Sequence, residues 1–179
     1  MTGCTDTSSS PSEAEQSTAE EQQEGGSPGE EASPTPPSRA ETSQQAALEA
    51  YLGMWEAMAE AGETSDWRSP ALSRYATDDA LTAISGGLYA DHRNGVITLG
   101  RPINDPEVTS AEPSEEPTTV LIEDCGDSTN WLKYFEDSRE PVDDEPGGGQ
   151  VIDAEVRQQA DGEWRVVRFA VQGVGSRQP

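Results

Sequence analysis

Residues 150–172 read QVIDAEVRQQADGEWRVVRFAVQ, two alternating runs around Asp161-Gly162, and this stretch decides the fold. Asp-Gly between period-two segments is the strongest short hairpin signal. A two-residue turn pairs Ala160 with Glu163, which sets Val156 opposite Val167, Ala154 opposite Phe169 and Ile152 opposite Val171. Those six side chains make one apolar face. On the other face Glu155 meets Arg168, a surface ion pair worth at most about 1 kcal/mol. A hairpin with one dry face needs a second layer to cover it.

Further strands precede it. Residues 96–99 read as a strand ended by Gly100-Arg101-Pro102, 107–112 as an irregular one, 118–125 as a stronger one and 131–135 as another. Residues 138–149 form a loop rich in Pro, Gly and Asp. The covering layer lies upstream. Thr42-Ser43-Gln44-Gln45 reads as a capping box, and Leu48, Tyr51, Leu52, Trp55, Met58 and Ala59 then recur at helical spacing up to a stop at Gly62. Ser69-Pro70 opens a short second helix to Tyr75 or Ala76. Thr77-Asp78-Asp79 opens a third, with carboxylates on the positive end of its dipole and Leu81, Ile84 and Leu88 on its buried side. Gly86-Gly87 weakens that helix midway and Asn94-Gly95 ends it. Helices followed by a one-faced antiparallel sheet predict an α+β fold, with N-terminal helices packed on a strongly bent sheet.

Before the helices the composition changes. Residues 5–42 are Ser, Thr, Glu, Gln, Pro and Gly, with alanine as the only hydrophobic type. Such a stretch cannot bury enough apolar surface to offset its ordering entropy, so it is expected to be disordered. It carries nine acidic residues against Arg39, a net of −8. Cys4 stands at its head, after Thr2-Gly3, as in the end of a bacterial lipoprotein signal, where the thiol takes up diacylglycerol. The basic start and apolar run of a secretory signal do not stand between Met1 and Cys4, so a signal is expected upstream of Met1. The domain reading is 1–42 a disordered lipoprotein tether, 43–175 an α+β domain and 176–179 a C-terminal tail. The expected location is the extracytoplasmic face of the cell membrane, reached through a lipid on Cys4.

The chain has 35 acidic and 11 basic residues, net −24, and removing the tether's −8 leaves −16 on the domain. Nucleic acid is therefore a poor partner, since phosphate binding needs clustered Lys and Arg. Direct contact with anionic lipid is disfavoured for the same reason. A cationic ligand or basic protein is electrostatically allowed, although solubility explains the charge more simply. Lys133 is the single lysine.

The helix-then-sheet order, with Tyr51-Leu52-Gly53-Met54-Trp55 on the first helix, resembles the nuclear-transport-factor-2-like (cystatin-like) cone. Tyr75-Ala76-Thr77, Gly100-Arg101-Pro102, Asp124-Cys125-Gly126-Asp127-Ser128-Thr129-Asn130-Trp131 and Asp161-Gly162-Glu163-Trp164-Arg165-Val166 are similar to a group of actinobacterial (Streptomyces-type) secreted lipoproteins. The resemblance spans about residues 45 to 175. It implies a cone enclosing a pocket, on a fold that hosts dehydratases, isomerases and many non-catalytic binding modules. Members often end in a cysteine after the last strand, where this chain runs Gly175-Ser176-Arg177-Gln178-Pro179. The resemblance thus leaves Cys125 a strand residue without a partner, and Cys4 the lipidated one.

Candidate chemistry is thin. Asp124 shares strand parity with Val120 and Ile122, so it points inward if they do, where a carboxylate could serve as a general base. The alternative has it at the strand end, capping the 126–130 turn through backbone N–H groups, and ordinary local hydrogen bonding favours that. Asp127 is a turn residue by the same reasoning. Tyr51, Trp55, Tyr89 and Trp131 are candidate pocket walls. His92, the only histidine, falls near the end of the third helix, where the dipole favours it on the surface. No metal spacing is present, and Asp143-Asp144-Glu145 lacks the alternating carboxylates of a calcium loop. No cofactor is expected. The reading is a lipid-anchored, non-catalytic binding or accessory protein. The alternatives are a small pocket enzyme of the dehydratase or isomerase type using Asp124, or a protein–protein interaction module.

Overall fold

In the structure, a computed structural model that describes residues 36–143 and 147–173, the first helix opens at Ser38. The Ser38 hydroxyl accepts from the Glu41 N–H at 3.2 Å, and the Glu41 carboxylate accepts from the Ser38 N–H at 2.7 Å. This box starts α1 (Arg39–Gly62) four residues before the Thr42 box that the sequence suggests. A carboxylate on the positive end of the dipole is a better closing partner than the amide of Gln45. Thr42 instead turns its hydroxyl back onto the Ser38 carbonyl, and Gln45 donates to Glu49.

Helices α2 (Pro70–Tyr75) and α3 (Asp78–Asn94) fall where expected, and α3 runs unbroken through Gly86-Gly87 to a left-handed Gly95 (φ 64°). Neither Ser69 nor Thr77 caps with its side chain. The Thr77 N–H donates instead to the Val166 carbonyl at 3.0 Å, which pins the α2–α3 junction to the sheet.

The strands are β1 (Val96–Gly100), β2 (Pro106–Glu112), β3 (Thr119–Asp127), β4 (Trp131–Phe135), β5 (Gly149–Gln158) and β6 (Trp164–Val171). Four of them form one antiparallel sheet in the order β2-β3-β5-β6, while β1 and β4 pair as a separate ladder. Ile103 and Asp127 exchange both backbone hydrogen bonds, which joins the β1–β2 loop to the end of β3. A short turn over 128–130 leads from β3 into β4, which leaves the four-stranded sheet to pair with β1.

The closing hairpin departs from the two-residue turn. Gln158 pairs with Trp164, and the Gly162 N–H (φ 89°) donates to the Gln159 carbonyl, which leaves a three-residue loop of Ala160, Asp161 and Gly162. The loop shifts the register by one, setting Val156 opposite Val166, and a bulge at Val167 shifts it back. Beyond the bulge the expected pairs stand: Glu155 with Arg168, Ala154 with Phe169 and Ile152 with Val171. Helix α1 lays Tyr51, Met54 and Trp55 on the inner face of the sheet, against Val120, Ile122, Val156 and Val166, and α3 adds Ile84 and Leu88 at one end.

Candidate functional site

Alternation along β3 sends Val120, Ile122 and Asp124 to the core face, each at most 1 % exposed. Asp124 is not at a strand end. It sits between Pro106 of β2 and Ile152 of β5, so it cannot reach the 126–130 turn, which corrects the capping expectation. Asp127 does serve that turn, accepting from the Thr129 N–H at 2.8 Å. The carboxylate of Asp124 is instead held by three other donors. The Tyr51 hydroxyl reaches Oδ2 at 2.7 Å, the Asn104 amide reaches Oδ2 at 2.5 Å, and the Asp105 N–H reaches Oδ1 at 2.7 Å. Burial, then the Asp124 charge and hydrogen bond, push the Tyr51 hydroxyl far above its ordinary range, so it stays an O–H donor. The Trp55 indole N–H leans toward the Tyr51 oxygen and partly opposes that shift, without reaching hydrogen-bond geometry.

Asn104 and Asp105 are the members that sequence reasoning missed. They lie in an irregular loop some 20 residues ahead of Asp124, with no periodicity to mark them. A shallow groove of about 400 Å³ opens beside them, between Leu52 and Trp55 of α1 and Pro102 and Asn104 of the loop. Asn104 stands between this groove and Asp124.

The aromatic candidates separate. Tyr51 and Trp55 are buried core residues, and Trp55 meets Trp131 and Phe169 edge-on with ring centres 5.8 Å apart in each pair. Tyr89 is 46 % exposed on the outer side of α3 and packs edge-on against Trp67, so it walls no cavity described here. The turn of α3 at that position faces solvent, which corrects its expected role. His92 is exposed in the last turn of α3, as the dipole argument places it.

Cys125 shares the outer parity of β3 with Leu121 and Glu123, and it is disulfide-bonded. This corrects the expectation that it lacks a partner: the side chain is half-buried on the outer face of β3 rather than enclosed in the core, so its sulfur is open to bonding. Cys4, the other cysteine of the chain, lies outside the described residues, as do Asp144 and Glu145 of the acidic loop. Among the described residues no group of three His, Cys, Asp or Glu is placed to hold a metal, and no helix is long and apolar enough to cross a membrane.

A second opening, of about 350 Å³, lies between α1, α3 and the strands at the far end of the core. Met58, Ile84, Leu88, Trp131 and Phe169 form its apolar wall. Trp131 and Lys133 alternate on β4 and so face it together with Thr98 of β1. Lys133 Nζ bonds Asp91 Oδ1 at 2.7 Å across the opening, with the aspartate side chain 15 % exposed and the lysine 51 %. Of the candidate wall residues, Trp131 alone lies here, and the Asp91–Lys133 pair was not anticipated. The shared parity of 131 and 133 was the one signal that pointed to it.

No protein-family model matches the chain, and no curated protein matches it in sequence. Among solved structures it is similar to the intermembrane-space region of the chloroplast protein ARC6, at 13 % identity and a TM-score of 0.53, covering 72 % of this chain and 95 % of that one. ActVI-ORFA from Streptomyces coelicolor (16 % identity, 73 % and 95 % covered, TM-score 0.47) and a ketosteroid isomerase-like protein from Erwinia carotovora atroseptica (10 %, 71 % and 92 %, 0.44) lie below 0.5 and support no further step. What the likeness and the element order show is the fold, an α+β domain in which helices cover a curved antiparallel sheet.

Proposed function

We propose that this protein is a non-catalytic binding module whose domain takes a small molecule into the opening between α1, α3 and β4, and, separately, that a lipid on Cys4 holds it at the extracytoplasmic face of a membrane, which requires the Cys125 disulfide to be made to another molecule. The occupancy of Asp124 carries the non-catalytic part. This carboxylate is inward, as a general base would need to be, but it is 0 % exposed and both oxygens are engaged by protein donors. A base must have a lone pair within hydrogen-bond reach of the proton it takes. Here Tyr51, Asn104 and Asp105 take three of the roughly four lone-pair positions and burial closes the group to solvent, so it acts as a tie between α1, the β1–β2 loop and β3. The binding part is supported by the second opening, which combines an apolar wall with a few polar groups at the lower end of the size range of ligand sites.

The binding reading is tested by amide NMR of the folded protein against a fragment collection. Shifts clustered on Met58, Ile84, Leu88, Trp131 and Phe169 are expected; shifts confined to other surfaces would overturn it. Turnover of any fragment that is abolished in a folded Asp124→Asn protein would overturn the non-catalytic part. The anchor is tested by intact mass of protein isolated from its own host without reduction. With two cysteines in the chain, a thioether at Cys4 and an intrachain disulfide at Cys125 draw on the same sulfur. A diacylglyceryl increment on Cys4 supports the anchor, and a Cys4–Cys125 disulfide without lipid removes it.

A further inference from the structure

One row of α3 faces the opening: Ala83, Gly87 and Asp91, spaced at i, i+4 and i+8, all line it. Two small residues followed by an acid leave a channel along the helix that ends at a carboxylate. The glycine is not required by crowding, since a Cβ at Gly87 would meet nothing within 4 Å. An interior helical glycine destabilises relative to alanine, so the space beside Gly87 is the feature its presence leaves.

The charge at the end of the channel is one-sided. Asp91 lies in the last turn of α3, where the backbone carbonyls carry roughly half a negative charge. That adds to its own carboxylate and calls for a cation. The exposed His92 and Arg93 of the same turn do not line the opening. Among the described residues the one cation that does is Lys133, on a flexible stem and half in solvent. Around it stands a chain of net −24, whose field concentrates cations and repels anions.

We propose that the opening binds a small organic cation with an apolar, preferably aromatic, body: the ammonium displaces Lys133 from Asp91, and the body lies along Ala83 and Gly87 against Trp131 and Phe169. The volume of about 350 Å³ suits a molecule of roughly a dozen non-hydrogen atoms, taking about 30 Å³ for each as in liquid water. The aromatic walls offer edge and offset contacts to the body while the carboxylate holds the ammonium. The proposal rests on the binding reading of this opening and names the ligand class for it.

Three probes of one shape separate the two: phenylpropylamine, phenylpropanol and phenylpropanoate, titrated against the full chain by amide NMR at fixed salt. The amine is expected to bind about tenfold tighter than the alcohol, about 1.4 kcal/mol, and the carboxylate to be weakest, because only the amine brings a charged donor to Asp91. Asp91→Asn is expected to remove the amine's advantage while sparing the alcohol. Lys133→Gln is expected to strengthen the amine several-fold by removing the internal competitor, and it keeps the question answerable if Asp91→Asn folds poorly. Equal binding of amine and alcohol, preference for the carboxylate, or an amine effect unchanged in Asp91→Asn would overturn the cation class and leave the binding reading standing. Shifts absent from the opening with all three probes would overturn both.

Discussion

Asp124 uses two oxygens to receive three protein donors, and an asparagine there would aim an NH₂ at a group that also donates. Asp124→Asn is therefore expected to lose about 1–3 kcal/mol in urea unfolding. Tyr51→Phe leaves two of the three bonds and is expected to lose about 1 kcal/mol. An Asp124→Asn protein as stable as the wild type would show that the tie is not structural. Glu155 offers a pH test. Burial alone would raise its carboxyl, but hydrogen bonds from Arg168 and Arg157, with their charges, hold it below the ordinary range. A depressed folded value stabilises above the unfolded value of about 4.3 and loses that contribution as pH falls through the lower folded one. The urea midpoint of Glu155→Gln is thus expected below wild type at neutral pH, with the two curves converging in acid. Parallel curves would deny the ion pair its role.

Two helical glycines should respond in opposite directions, although helix propensity ranks alanine above glycine at both. A Cβ at Gly53 of α1 would lie 2.6 Å from the Tyr75 ring of α2, so Gly53→Ala is expected to part the two helices and lower the melting temperature. At Gly87 the same change meets open space, and Gly87→Ala is expected to stabilise by about 0.5–1 kcal/mol. Thermal melts of the pair decide it; the same sign for both would mean that helix packing at Gly53 is looser than drawn. This contrast marks where the sequence could be read. Strand spans and the spans of α2 and α3 follow from local period and fall where expected, whereas α1 starts four residues early. The inward side of Asp124 is legible in its parity with Val120 and Ile122, but local hydrogen bonding favours the capping reading. The bulge at Val167 is not legible, because Val166 and Val167 are both apolar and satisfy either register. The three-residue turn was equally hidden, since Asp161-Gly162 serves both loop lengths. Asp124's partners were out of sight for another reason: Tyr51 is 73 residues away and Asn104 sits in a loop, and long-range polar contacts leave no periodic trace.

The whole molecule carries its net −24 with few basic residues to offset it, so self-repulsion opposes folding at low salt. Raising ionic strength from about 0.01 M to 0.15 M shortens the screening length from roughly 30 Å to 8 Å. The melting temperature is expected to rise across that interval, and a flat or falling profile would place the charges farther apart than a single domain allows. The capped start of α1 has one more consequence, a mechanical one. A domain pulled by its N-terminus takes the load at Ser38, along the axis of α1. The first ties are the capping box and the ion pair of Arg39 with Glu116 in the β2–β3 loop, both exposed and weak. The next polar tie into the sheet is Tyr51, roughly 18 Å farther along the helix at 1.5 Å per residue. Under tension α1 would peel from its outer end while the four-stranded sheet stayed whole, so the force such a domain withstands is set by the packing of Ala47, Ala50, Met54 and Trp55 and the Tyr51–Asp124 bond rather than by its strands.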